Sequence, residues 1–231
     1  MLIWSMKAGI DFSKAGIDFR YADASAMLPT DANDESQECP ACGVCPKIPP
    51  NQTALEWDEG SSEIGDFVFT GAELVARESV ADELMGQFSG LAKRPVVYID
   101  HPSFHRPKRL TKRSKIRVWL PYEGPPLCAL EFVPRIELHP NSTVSVDKSC
   151  STCGFRQYKD FVGLERVAGP KHTLREPGKG FFFRPRDLEG IDFFTPKHTG
   201  YRLCTQTAKD YIIGRGFTNV YFLEVGETID D

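Results

Sequence analysis

Two pentapeptides of the same design, Cys39-Pro40-Ala41-Cys42-Gly43 and Cys150-Ser151-Thr152-Cys153-Gly154, constrain this chain more than any other feature. A CxxC turn aims two thiolates at one cation, and the glycine that follows can take positive φ, letting backbone N–H groups face the sulfurs. Two such turns complete a tetrahedral four-sulfur site of the structural zinc type. In a compact zinc ribbon roughly 15–20 residues separate the turns, whereas here more than a hundred do. A shared site therefore requires the fold to bring two remote loops together. We assign Cys39, Cys42, Cys150 and Cys153 as ligands of a structural Zn2+. Such a centre carries a formal charge of −2 that Lys47, Lys148 and Arg156 can offset, and it has no open position for water, so it serves folding rather than catalysis. The competing readings are two turns without metal and a redox CxxC. The latter wants a thiolate at a helix N-terminus after a strand, a setting neither turn has. Cys45 reads as a spare thiol that could compete with Cys39, and Cys128 and Cys204 lie in apolar strand patterns as core residues.

The count of seven cysteines in 231 residues is odd, and the first residues contain no apolar run long enough for a signal sequence. No stretch approaches the roughly 18 apolar residues of a membrane helix. A cytoplasmic protein with reduced thiols is expected. At 41% hydrophobic residues the composition is that of an ordinary globular chain, and a net charge of −4 points to no particular partner.

Along the chain, Lys7-Ala8-Gly9-Ile10-Asp11-Phe12 recurs as Lys14-Ala15-Gly16-Ile17-Asp18-Phe19. Two copies of six residues cannot build a solenoid, so residues 1–22 read as a peripheral or poorly ordered extension, with Met6 a candidate start, before a domain spanning 23–231. Within that domain each cysteine turn is followed by Asp-Phe, a strand, a helix and a strand. The first series is Asp66-Phe67, Glu73 to Arg77, Glu78 to Phe88 with apolar Val80, Leu84, Met85 and Phe88, and Val96 to Ile99. The second is Asp192-Phe193-Phe194, Tyr201 to Thr205, a helix capped by Thr205 or Thr207 and ended by Gly214 or Gly216, and Val220 to Val225. Leu127 to Val133 and Arg135 to Leu138 read as strands broken at Pro134. These patterns predict an α+β fold of two pseudo-repeated strand-helix-strand halves, about 23–125 and 126–231, joined by a four-cysteine zinc-ribbon-like site.

Charge is segregated. From Asp23 to Asp66 there are ten acidic residues and one base, and from Lys93 to Arg117 nine bases and one acid. The first stretch offers Asp31, Asp34, Glu35, Glu56, Asp58 and Glu59, and the second Arg106, Lys108, Arg109, Lys112 and Arg113, as candidate partner-binding residues. Phosphate binding by the basic run is the alternative, though only Phe104 and Trp119, at its edges, supply aromatics for bases. His101 and His105 have helical metal spacing, but Pro102 fits only a first turn and no HExxH is formed, so loop histidines are expected. Arg175 to Gly180 lacks the strand and helix of a phosphate loop. No nucleophile, base and orienting acid can be assembled.

In the order of these blocks the chain resembles the double-CXXCG motif family of bacterial proteins, some of which are immunity proteins of swarming-inhibition polymorphic toxins. The likeness runs from about Asp23 to the C-terminus through Cys39 to Gly43, Leu74-Val75-Ala76-Arg77-Glu78, Leu138-His139-Pro140, Cys150 to Gly154 and Asp192-Phe193. It implies a non-enzymatic protein that neutralises a cognate toxin and holds its metal with the same four cysteines. The hexapeptide repeat and Cys45 fall outside the family pattern. A zinc-ribbon nucleic-acid-binding protein using residues 93–117 is the second expectation.

Overall fold

Several strands of this chain are apolar on both faces, which calls for packing on both sides of a sheet. The computed structural model describes residues 1–11, 16–17, 20–27, 39–43, 51–71, 73–162 and 175–230. Its first half contains β1 (Leu2–Ala8), β2 (Ile10–Asp11), β3 (Gly16–Ile17), β4 (Ala24–Met27), β5 (Thr53–Trp57), β6 (Phe67–Phe69), β7 (Leu74–Arg77), α1 (Glu78–Gln87) and β8 (Leu91–Tyr98). The rest comprises β9 (Leu127–Phe132), β10 (Arg135–Ile136), β11 (Ser145–Ser149), β12 (Arg156–Lys159), β13 (Phe181–Phe183), β14 (Phe193–Pro196), β15 (Leu203–Thr205), α2 (Gln206–Gly214) and β16 (Val220–Thr228). The architecture is α+β, mostly strands, with two α-helices among the described residues.

Two six-stranded sheets hold the chain, in the orders β4-β5-β8-β9-β7-β6 and β10-β14-β15-β1-β16-β13. In the first, β6–β7, β7–β9 and β9–β8 are antiparallel and β8–β5 is parallel. In the second, β14–β15, β15–β1 and β1–β16 are antiparallel and β16–β13 is parallel. The edges of each sheet are also drawn together. Ala26 N–H donates to Thr70 O (3.3 Å) across the first, and His139 N–H to Phe182 O (2.8 Å) across the second.

Alternation along the strands sorts side chains into three clusters. Leu74 and Ala76 of β7 and Phe67 of β6 face a central cluster with α1, α2, Phe193 and Cys204. Val68 and Val75 point the other way, into an inner cluster of the first sheet with Leu55 and Trp57. Phe194 and Leu203 point into the inner cluster of the second, with Ile3, Phe181 and Phe183. Cys128 and Cys204 are core residues, as their apolar context suggests, and burial pushes both thiols up.

At the seam two aspartates make matching bonds. Asp66 accepts from Thr218 N–H (2.8 Å), next to Phe67 N–H donating to Thr218 O (3.2 Å). Asp192 accepts from Ser89 N–H (3.2 Å), next to Phe193 N–H donating to Ser89 O (3.1 Å). Ser89 and Thr218 each follow a helix and precede a residue of positive φ, Gly90 at 95° and Asn219 at 59°. The helices also touch, Tyr211 donating to Glu83 (2.9 Å) while Arg215 pairs with the same carboxylate.

The structure corrects the expectation that residues 1–22 form a peripheral extension. Leu2–Ala8 is an interior strand, with Ile3 and Ser5 fully buried and Met6 1% exposed. Buried on both faces, the strand has no alternation of polar and apolar residues to mark it in the sequence. The two copies of that repeat pair with each other, Ile10 opposite Ile17. The division near residue 125 also fails, since β9 completes the first sheet and β1 the second. Strand β8 begins at Leu91, earlier than expected, and Met85 is 38% exposed rather than core.

Candidate metal centre and charged loop

The two cysteine turns are built alike. Gly43 N–H donates to Cys39 O (2.8 Å) and Gly154 N–H to Cys150 O (2.9 Å). Gly43 has φ +66° and Gly154 φ +73°, and a Cβ at either would meet nothing within 4 Å. Glycine is thus required there by backbone conformation and not by space. The second turn is the tip of the β11–β12 hairpin, where Ser149 pairs with Arg156 and Cys150 N–H donates to Phe155 O (2.8 Å).

The sulfurs meet across the turns. Cys39 Sγ lies 3.8 Å from Cys150 Sγ, and Cys42 Sγ 3.7 Å from Cys153 Sγ. All four lie within 4.8 Å of one another. A disulfide needs about 2.05 Å, and these cysteines are free. Four sulfurs at about 2.3 Å from a central Zn2+ would stand about 3.8 Å apart along each tetrahedral edge. The donor set therefore fits a metal ion. Among the described residues it is the one cluster of this kind.

Its electrostatics point the same way. Backbone N–H groups of Cys153 and Thr152 lower the Cys150 thiol to about 6. Cys153 moves upward: the Phe155 N–H favours its thiolate, but desolvation and the neighbouring Cys150 and Cys39 outweigh it. Crowded thiolates repel one another, and a cation removes that conflict. Cys39 and Cys150 are buried, and Cys42 and Cys153 exposed. Cys45 and Lys47 lie outside the described residues. Lys148 and Arg156 are exposed on the hairpin that carries the second turn.

The charged stretches behave differently from the cysteines. Asp31, Asp34 and Glu35 lie outside the described residues. Glu56 is half-buried on β5, facing Ser25 across the sheet, while Asp58 is exposed. Glu59 pairs with both Lys115 and Arg117, and Lys115 leads in holding its carboxyl below the usual range. Acidic and basic stretches thus meet here, and part of each is neutralised. Arg106, Lys108, Arg109, Lys112 and Arg113 are exposed and have no side-chain partner among the described residues.

Arg106 borders a cavity of about 370 Å³, lined among others by Ser62, Leu110, Ile116, Arg117 and Trp119. The cavity was not foreseen. Its signal was the pair of aliphatic residues, Leu110 and Ile116, inside a basic run. His101 caps a short 3-10 turn (Pro102–Phe104) through its Nδ1, and His105 contacts Asp100, so the histidine pair serves local structure. No helix among the described residues is long and apolar enough to cross a membrane. Comparison with models of protein families found none that matches the chain, and comparison with curated proteins gave no match.

Proposed function

We propose that this protein is a non-enzymatic immunity protein, which binds and neutralises a cognate bacterial polymorphic toxin in the cytoplasm of the producing cell. In this reading the metal is Zn2+, held by Cys39, Cys42, Cys150 and Cys153 as a structural pin. The observation that carries the structural part is the near-tetrahedral spacing of four sulfurs from two remote turns. Four thiolates fill the coordination shell, which leaves no place for a substrate. Function then falls to surfaces, and the exposed cations from Arg106 to Arg113 supply one.

The two sheets are read as duplicated halves, with β5-β6-β7-α1-β8-β9 equivalent to β13-β14-β15-α2-β16-β1. Shared strand order, shared direction and the reciprocal Asp66 and Asp192 bonds support this. Resemblance to the double-CXXCG motif family supports the toxin-neutralising role. The test is co-expression with the product of the adjacent gene, scored as rescue from toxicity. Absence of both rescue and binding would sink the proposal. The unpaired cations favour a second reading, nucleic-acid binding, whose mark is an affinity that falls steeply with salt.

A further inference from the structure

Residues 106–119 form a loop built to hold its shape. At its base Leu120 N–H donates to Phe104 O (2.8 Å) and Arg106 N–H to Leu120 O (3.4 Å). Midway, Gly60 N–H donates to Ile116 O (2.9 Å), while Glu59 and Arg117 form a β-bridge. At the tip Thr111 N–H donates to Ser114 Oγ (2.9 Å) and Ser114 N–H to Thr111 O (3.0 Å). The shape is thus paid for before any partner arrives.

What the loop displays is mixed. Leu110 is 54% and Ile116 65% exposed, both at the cavity. Arg106 also lines the cavity, and the same loop carries Lys108, Arg109, Lys112 and Arg113, all exposed and none with a side-chain partner among the described residues. Arg117 forms the cavity wall, its guanidinium 5.0 Å from the Phe104 ring and 5.4 Å from the Trp119 ring, and its buried Nε has no acceptor. Phe104 and Trp119 each pack a ring against the Arg117 guanidinium, so the most exposed apolar groups at the cavity are the aliphatic Leu110 and Ile116, beside the half-buried Trp119. Single-stranded nucleic acid is held by aromatic platforms for its bases. Aliphatic anchors within a charged rim suit a protein surface instead.

We propose that this loop and cavity form a docking surface for an acidic protein segment in which an aliphatic side chain stands beside carboxylates. The aliphatic group sits against Leu110 and Ile116, and the carboxylates meet Arg106, Arg109 and Arg113. This deepens the toxin-neutralising reading by naming the chemistry of the partner, and rests on that reading for the partner's origin.

The test uses the full chain, zinc-loaded, with three labelled probes: an acidic peptide containing leucines, one of equal charge with serines in their place, and oligothymidylate. The leucine peptide should bind about tenfold more tightly than the serine peptide, as expected for covering one aliphatic side chain. Leu110→Ser with Ile116→Ser should abolish that preference without changing thermal unfolding. Arg109→Ala with Arg113→Ala should weaken both peptides. Equal binding of the two peptides, binding of neither, or a preference that survives the serine variants would overturn the proposal. So would tighter binding of oligothymidylate at the same salt, or a dimer of this chain that Ile116→Ser dissolves. The adjacent gene product is measured separately. If it binds and the loop variants do not weaken it, the docking surface fails while the immunity reading stands. If it does not bind and the peptides behave as expected, the immunity reading fails alone.

Discussion

Five strands of each sheet share order and direction, while the sixth lies at opposite ends, β4 beside β5 and β10 beside β14, and the middle strands come from opposite sides of the chain. In the first sheet β9 follows β8 in sequence and lies between β8 and β7. In the second the same place between β16 and β15 is taken by β1, some two hundred residues earlier. The first sheet can thus be completed by its own continuous segment, whereas the second must wait for the N-terminus. Closing a longer loop costs more entropy, though only logarithmically, so the difference should appear more in folding order than in final stability.

The strongest way to break the comparison is to remove the middle strand of one sheet. A chain beginning at Met6 lacks Ile3, Trp4 and Ser5, which pair with Thr205, Cys204 and Leu203. We expect no cooperatively folded protein, measured by thermal unfolding. Retention of a native transition would show that the second sheet does not depend on this strand.

Next in size is the metal centre. Cys39→Ser or Cys150→Ser should abolish stoichiometric zinc and lower the unfolding midpoint sharply, because structural zinc contributes on the order of 10 kcal/mol in small sites. Chelation should expose the amides around Cys39 to hydrogen exchange more than those around Cys150, since the β11–β12 hairpin still holds the second turn. Equal exposure of the two would remove that asymmetry.

The seam offers a paired test. Asp66→Ala and Asp192→Ala each orphan a backbone N–H, of Thr218 and Ser89 respectively. Asp66→Ala should cost about 1–3 kcal/mol in denaturant unfolding, because the Thr218 N–H is part-buried. Asp192→Ala should cost less: both aspartates accept from a threonine hydroxyl, Asp66 from Thr218 (2.9 Å) and Asp192 from Thr205 (3.3 Å), but the Ser89 N–H is exposed and water can replace the carboxylate there. Similar losses would support the proposed equivalence of the halves, while a loss at only one site would weaken it.

The smallest effect separates the helices. Thr205 Oγ1 accepts from Ala208 N–H (3.3 Å) at the start of α2, whereas α1 begins at Arg77 with no side-chain cap, and Glu78 N–H donates to Pro126 O (2.8 Å) instead. Thr205→Ala should cost about 1 kcal/mol, and Arg77→Ala should act through its lost bonds to Ile64 and Gly65 rather than through the cap. Unchanged unfolding in Thr205→Ala would show that the cap is replaced by solvent.

Local chemistry made much of this protein legible in its sequence. The CxxCG turns point to four candidate sulfur donors, because the spacing and the positive-φ glycine are properties of a pentapeptide. The α1 and α2 patterns, a cap at Thr205 or Thr207 and the break at Pro134 are equally readable, since each depends on neighbours within a few residues, and the fold decides for Thr205. Tertiary structure alone decided the rest. β1 reads as part of a peripheral extension because an interior strand with both faces buried has no distinctive polarity, and only its partners β15 and β16 give it a place. The exposure of Leu110 and Ile116 depends on how residues 106–119 are pinned to Glu59 and Gly60, which sequence spacing cannot convey. The distance between the two cysteine turns is likewise a product of the fold. Sequence supplies donors in pairs, and it takes two packed sheets to bring the pairs within 3.8 Å of each other.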